Sequence, residues 1–254
     1  MTHGHLRFAA LAIAAATLGA CASDGVRDPD TASRLRVAAA AEANGQMDVA
    51  LSMYGAAASR EPDNAEAQAR FAAALMRTGN RAQAEQVLAA AVTRRPDDGR
   101  LLLELAKMRL RSGAAGEALG LFDRVLARDS RNVPALDGRG VALDLMGRHP
   151  EAQESYRRAQ AVAPNSVSVA NNLGLSLLLD GRPDEARAVL EPLARRPDSN
   201  QRVTANYAIA LAATGDEAAA RGVLGGEEAD LRGVAEVLRV NRQVIEVTPA
   251  DGRS

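Results

Sequence analysis

The chain has little of several residue types on which particular protein classes depend. Among its 254 residues there is one cysteine, no tryptophan and 2% aromatic side chains in total. One cysteine excludes a disulfide framework, and the shortage of aromatic residues argues against a β-sandwich. The formal net charge of −1 gives no indication of nucleic-acid binding. The apolar residues are mainly alanine and leucine, which favours closely packed helices.

Groups suited to catalysis or metal binding are also scarce. After the first twenty residues the only histidine is His149, in a glycine-proline turn, and we interpret it as a solvated turn residue. The stretch from Gly138 to Gly140 begins like a dinucleotide-binding loop, but it falls within a helical pattern and lacks a preceding strand and a third glycine. The carboxylates lie where solvated helix surfaces are expected. We therefore expect no enzyme activity, cofactor, metal ion or small-molecule substrate.

Three ladders of residue types recur every 34 residues. Glycines form the first ladder, alanines the second, and large residues four positions beyond the alanines the third. The members are Gly45, Gly79, Gly113, Gly147, Gly181 and Gly215; Ala50, Ala84, Ala118, Ala152, Ala186 and Ala220; and Tyr54, Leu88, Phe122, Tyr156, Leu190 and Leu224. The glycines mark turns that require a left-handed backbone. A fixed period with a helix-turn-helix in each unit predicts a stack of helical repeats.

Small residues and helix-ending residues follow the same period. The first helix of each unit carries a small residue where two backbones approach: Ala38, Ala72, Ala106, Gly140, Gly174 and Ala208. Pro62, Pro96 and Pro164 end second helices, with Ser130 and the displaced Pro197 at the other two positions. Pro150 and Pro183 fit the opening turns of their helices. Capping side chains follow in each linker: Asp63 and Asn64, Asp97 and Asp98, Asn132, Asn165 and Ser166, and Asp198 and Ser199. Asp63 and Glu66 have the spacing of a capping box.

These ladders closely resemble the tetratricopeptide repeat (TPR). The resemblance implies an all-α superhelix of about six helix-turn-helix repeats over residues 31–226, the sixth weaker than the others. Two features depart from the pattern: there is no tryptophan at the first large position, and Arg139 replaces an apolar residue in the fourth repeat. Residues 227–244 carry Leu231, Val234 and Leu238 at helical spacing and resemble the capping helix of such arrays. Residues 245–254 form a polar tail.

The N-terminal residues 1–20 have the pattern of a signal peptide. Basic Arg7 precedes an apolar run from Phe8 to Leu18 that is too short to span a bilayer. The stretch Leu18-Gly19-Ala20-Cys21 resembles a bacterial lipobox, which implies lipidation of Cys21 and cleavage before it. The alternative is a conventional signal peptide with an incidental cysteine. Because no aspartate follows Cys21, the resemblance implies anchoring to the periplasmic face of the outer membrane, with residues 21–30 as a tether.

The first helices of TPR repeats line a concave face, and two candidate binding surfaces lie on it. The first, the peptide groove, comprises Asn171, Asn172, Leu175, Leu178, Leu179, Asn206 and Ile209. The resemblance implies that asparagines placed like Asn172 and Asn206 hold the backbone of an extended peptide; the alternative is that they only cap or fill. The second, the basic stripe, comprises Arg70, Arg77, Arg100, Lys107 and Arg111, with Glu104 among them. Its alternative is ordinary solvated surface.

Three stretches narrow the resemblance to the TadD family of TPR lipoproteins from tight-adherence (Tad/Flp) pilus assembly: Val141 to His149, Asn171 to Leu177, and Leu190 to Ala194. This resemblance implies a non-enzymatic scaffold that assists assembly or localisation of the secretin, the outer-membrane pore of the pilus, and that binds the secretin or another assembly component. The alternative is a general periplasmic scaffold for outer-membrane or cell-wall machinery.

Overall fold

The computed structural model describes residues 30–225, which form twelve α-helices and no strand. The predicted signal peptide, Cys21, nearly all of the predicted tether, and the predicted capping helix and tail lie outside the described residues. The helices are α1 (Thr31–Ala43), α2 (Met47–Arg60), α3 (Ala65–Arg77), α4 (Arg81–Arg94), α5 (Gly99–Arg111), α6 (Ala115–Arg128), α7 (Val133–Leu145), α8 (His149–Val162), α9 (Val167–Leu179), α10 (Pro183–Ala194), α11 (Gln201–Ala213) and α12 (Glu217–Val223).

The helices pair into six consecutive hairpins, which we number repeats 1 to 6. Each odd-numbered helix packs on the even-numbered helix that follows it, and each even-numbered helix packs on the next odd-numbered one. From α3 onward the odd-numbered helices also contact one another in succession, whereas no comparable contact joins successive even-numbered helices among residues 30–225. The odd-numbered helices therefore form one continuous surface, which we call the A face. This arrangement confirms the predicted all-α repeat array.

The six ladder glycines adopt the left-handed backbone that the sequence predicts. Their φ angles lie between 73° and 87°, and no residue other than glycine has a positive φ in the described part of the chain. At Gly147 the turn is closed by the N–H of Arg148, which donates to the carbonyl oxygen of Leu143 at 2.9 Å. A Cβ added at Gly147 would meet nothing within 4 Å. Backbone conformation, not crowding, is therefore what requires glycine at these turns.

Close helix packing explains the other small residues. All six ladder alanines have 0% exposed surface. A Cβ added at Gly140 would lie 2.5 Å from the ring of Tyr156, and one added at Gly174 would lie 2.5 Å from Leu190 Cγ. In repeats 4 and 5 the large ladder residue thus fills the space that the small residue on the first helix leaves open. The buried apolar residues of repeats 3 to 6 form one large cluster, and those of repeats 1 to 3 form smaller ones.

The residues that cap and end the helices agree with the prediction only in part. Asn64 caps α3 by accepting from the N–H of Ala67 at 3.1 Å, so the capping box predicted for Asp63 is wrong. Asn200 caps α11, in place of the predicted residues before it. The second helices of repeats 1 and 2 end two residues before Pro62 and Pro96, as predicted. Proline does not end every helix, because Pro192 lies inside α10.

Candidate partner-binding face

The A face is charged over repeats 2 and 3, where the predicted basic stripe lies. Arg70 and Arg100 both pair with Glu66, at N···O distances of 3.1 and 3.2 Å. Arg77 forms an ion pair with Glu42 of repeat 1. The pairs of Arg77 and Arg100 join neighbouring repeats, whereas that of Arg70 lies within α3, and each of the three arginines keeps about half of its side chain exposed.

Lys107 and Arg111 differ in how their charges are compensated. Lys107 is only 3% exposed, and its Nζ donates to Glu104 Oε1 at 2.8 Å. Such pairing is what makes a buried ammonium tolerable. Arg111 is exposed at the end of α5 and makes no ion pair with any residue in the described range. The stripe therefore contains five cations for three carboxylates, with Glu66 shared between two arginines.

The pKa values of these carboxylates reflect their arginine partners. The hydrogen bond from Arg77 is the largest cause of the lowered pKa of Glu42, to which the Tyr54 hydroxyl also donates at 2.8 Å. Burial raises the pKa of Glu66, but hydrogen bonds and charge from Arg70 and Arg100 lower it by more. Both carboxylates are therefore ionised at neutral pH, and the basic stripe is a surface of fixed charges.

Over repeats 4 to 6 the A face carries amides instead of ion pairs. Asn172 Nδ2 donates to Asp137 Oδ1 at 2.9 Å, and Asn206 Nδ2 donates to Asn171 Oδ1 at 3.0 Å. Each pair joins two neighbouring first helices, and its members are 35 residues apart, one more than the repeat period. All four side chains are at most 6% exposed. One N–H of each amide is thus committed to holding repeats together, and the predicted contact with a peptide backbone stays a prediction.

Apolar side chains form the accessible part of the predicted peptide groove. Leu175, Leu178 and Leu179 are half-buried, whereas Ile209 is only 8% exposed and contributes little accessible surface. Leu145, one repeat before Leu179, is half-buried as well. Leucines that keep part of their surface in water on an otherwise well-packed helix face are suited to burial against another protein.

A buried polar cluster joins repeats 4 and 5 beneath this surface. Asp144 Oδ1 accepts a hydrogen bond from Ser176 Oγ at 2.7 Å and lies 2.8 Å from His149 Nδ1, and Asp144 Oδ2 accepts from the Tyr156 hydroxyl at 3.0 Å. Burial raises the pKa of Asp144, opposed by these three hydrogen bonds. Burial likewise raises the pKa of Asp137, to about 6. Both carboxylates are buried, so the expectation that acidic residues lie on solvated surfaces is wrong for them.

His149 is therefore not the solvated turn residue that the sequence suggested. It begins α8, its side chain is 20% exposed, and it faces the buried carboxylate of Asp144. The serine, histidine and aspartate of this cluster do not form a nucleophile-base arrangement, because Ser176 donates directly to Asp144 and is itself 0% exposed. The cluster is a contact between repeats.

Sequence reasoning missed Asp137, Asp144 and Ser176, although one signal was available. Helix α7 is almost wholly apolar, so its two aspartates had to be either exposed or partnered. Arg139 of the same helix is also partnered. Its Nε donates to Asp123 at 2.8 Å, and its Nη1 donates to Ser155 at 2.6 Å. The substitution of an apolar residue by Arg139 is thus compensated by polar partners on α6 and α8.

The described residues 30–225 contain no group of three or more histidine, cysteine or acidic residues placed to hold a metal ion. None of the helices in this range is both long enough and apolar enough to cross a bilayer.

The chain is similar to known proteins through its repeats. Models of the tetratricopeptide repeat match residues 41–107 and 139–200, together about half of the chain. An uncharacterized protein of Sinorhizobium fredii, y4yS, is 41% identical over 69 residues, which are 27% of this chain and 38% of that protein. The match therefore spans less than half of that relative's length.

Solved structures show the same architecture at low sequence identity. The chain resembles pilF of Pseudomonas aeruginosa with a TM-score of 0.66 and 15% identity, over 85% of this chain and 94% of that one. It resembles a tetratricopeptide repeat protein from Parabacteroides merdae with a TM-score of 0.64 and 17% identity, over 84% and 85% of the two chains. At these identities the likeness concerns the fold alone. Repeats of this type form protein-interaction scaffolds, and the described array is one.

Proposed function

Because the chain belongs to the tetratricopeptide-repeat family, we propose that it is a non-enzymatic scaffold, lipid-anchored at the periplasmic face of the outer membrane, that binds a protein partner through the A face of repeats 5 and 6. The partner is the secretin or another component of Tad/Flp pilus assembly. The observation that carries the binding site is the group of half-buried leucines on α9, Leu175, Leu178 and Leu179, flanked by the amides of Asn172 and Asn206.

The buried amides support this site indirectly. Since Asn172 and Asn206 each donate to a side chain of the preceding repeat, they fix the spacing of α7, α9 and α11. A face whose helices are held in register presents its leucines at fixed intervals, which reduces the entropy lost on binding. Substituting these amides would also loosen the array, so a leucine is the cleaner site for a test.

The binding site is tested by Leu175→Asp in the full chain. A charge placed within a desolvated apolar contact should weaken partner binding at least about tenfold, or about 1.4 kcal/mol. Val49→Asp is the matched control, because Val49 is an exposed apolar residue on α2, 47% accessible and away from the A face. Calorimetric titration against the purified secretin measures affinity, and circular dichroism verifies that both variants fold. Equal binding by the two variants would exclude this surface.

The anchor is tested at Cys21. Cys21→Ser should leave the precursor uncleaved or release the protein from the outer-membrane fraction, because no other cysteine can be acylated. Membrane fractionation and the mass of the N-terminal peptide measure the result. Wild-type protein found soluble in the periplasm, without an acyl mass on that peptide, would contradict the proposal.

The pilus role is tested separately from the binding site. A gene neighbourhood containing a pilin, a secretin and a secretion ATPase supports it, as does loss of secretin multimers when the gene is deleted. Intact secretin assembly in the deletion strain would instead favour a general scaffold for outer-membrane or cell-wall machinery.

A further inference from the structure

Equivalent positions along the A face change from arginine to leucine in the middle of the array. At the end of each first helix, residues 34 apart read Arg77, Arg111, Leu145 and Leu179 in repeats 2 to 5. The two arginines are exposed and the two leucines are half-buried. We call these four residues the Arg-Leu column. A column on successive, contacting helices is a single track that one extended segment can follow.

The arginine half of the column carries more positive charge than neighbouring carboxylates neutralise. Arg111 makes no ion pair within the described residues, and Arg77 pairs with Glu42 of repeat 1 but keeps 45% of its side chain exposed. Helices α7 and α9 contribute no accessible carboxylate, since α9 contains none and Asp137 and Asp144 of α7 are 3% and 7% exposed and are already hydrogen-bonded. An acidic side chain of a partner would therefore gain most attraction at Arg111 and less at Arg77, whose charge is shared with Glu42, and it would meet no accessible carboxylate on α7 or α9.

From this complementarity we propose that the partner segment is extended and bipartite, with acidic residues over Arg77 and Arg111 and apolar residues over Leu145 and Leu179. This inference rests on the proposed function, because it specifies the chemistry of the partner that the A face binds. Packed helices lie roughly 8–10 Å apart and an extended chain advances about 3.3 Å per residue, so each repeat accommodates about three residues. Two acidic residues three apart, followed after three more by two apolar residues three apart, match the column.

Synthetic peptides test the order of the two halves directly. The bipartite probe is Glu-Ser-Ser-Glu-Ser-Ser-Leu-Ser-Ser-Leu, and a second probe has the reversed sequence, because the column does not specify chain direction. The matched control has the same composition with alternating types, Glu-Ser-Ser-Leu-Ser-Ser-Glu-Ser-Ser-Leu. Fluorescence anisotropy with the full chain measures the affinities. One of the two bipartite orders should bind at least about fivefold tighter than the alternating peptide at low salt.

Substitutions in the protein test whether the Arg-Leu column causes the preference for the bipartite peptide. Arg111→Ala should lower affinity for the preferred peptide by about three- to tenfold and leave the alternating peptide less affected. Arg157→Ala is the control, because Arg157 is an exposed arginine on α8, away from the A face. Raising the salt concentration from about 50 mM to about 500 mM should remove most of the advantage of the bipartite order.

The outcomes separate this inference from the proposed function. Equal binding of bipartite and alternating peptides, no binding by either bipartite order, or an Arg111→Ala variant that binds like wild type would overturn the bipartite partner. If Leu175→Asp still weakens binding of the secretin in that case, the proposed function stands without it. If Leu175→Asp has no effect on the secretin while Arg111→Ala does, the apolar half of the column is wrong.

Discussion

The most direct test of the packing between the two helices of a repeat is the substitution Gly140→Ala. Gly140 lies in α7 against Tyr156 of α8, and an added Cβ would be 2.5 to 2.9 Å from three carbons of the ring. The ring cannot easily move, because Tyr156 is 0% exposed and its hydroxyl donates to Asp144 at 3.0 Å. Relief of the clash therefore requires a shift of α7 against α8 or the loss of that hydrogen bond.

Three terms decide the size of the effect. Replacing glycine by alanine within a helix gains about 1 kcal/mol in helix propensity. Overpacking a well-filled core costs about 1–3 kcal/mol, and weakening a buried hydrogen bond to a carboxylate costs a further 1.5–3 kcal/mol or so. Since both losses are not expected in full at once, we expect Gly140→Ala to lower the free energy of unfolding by about 1–3 kcal/mol.

A second helical glycine supplies the control for this prediction. Gly120 lies inside α6, and a Cβ added there would meet nothing within 4 Å. Gly120→Ala should therefore gain only the propensity term and stabilise the protein by about 0.5–1 kcal/mol. Urea unfolding compares the two variants, and hydrogen exchange should show faster exchange in α7 and α8 for Gly140→Ala. Two variants that changed stability in the same direction would refute the packing argument.

Two further substitutions test the ladders and the buried carboxylates. Ala152 is 0% exposed, so Ala152→Leu should cost about 1–3 kcal/mol and loosen repeats 4 and 5 before the ends of the array; a uniform change in hydrogen exchange along the chain would contradict this. Burial raises the pKa of Asp137 from 3.8 to about 6, so this carboxyl favours the folded state at low pH and loses that contribution as pH rises through about 6. Asp137→Asn should therefore raise the free energy of unfolding at pH 7.5 by on the order of 2–3 kcal/mol, with the gain shrinking toward zero near pH 4 in thermal or urea unfolding. If the variant were no more stable than wild type at pH 7.5, burial of the ionised Asp137 carboxylate would not destabilise the protein.

Local and periodic features were predictable because each is decided within one repeat or by its repetition. A left-handed turn needs glycine, so Gly45 and its equivalents marked every hairpin, and their φ angles agree. The alanine ladder predicted the buried contacts because a small residue at a fixed period implies the same close approach in each repeat. Helix caps were less reliable, since two adjacent polar residues such as Asp63 and Asn64 can both cap and only the backbone decides which does.

Contacts between side chains of different repeats were decided by the tertiary structure. The pairs of Asn172 with Asp137 and of Asn206 with Asn171 are offset by 35 residues, so a search at the period of 34 does not align them. Likewise, nothing in the sequence distinguishes buried Lys107 from exposed Arg111, because both follow the same helix surface and only packing against neighbouring helices separates them. The sequence by itself determined the repeat, its turns and its core, since these depend on short-range geometry. The partners of polar groups on the A face depend on how far each helix is shifted and rotated against the next, which only the assembled array sets.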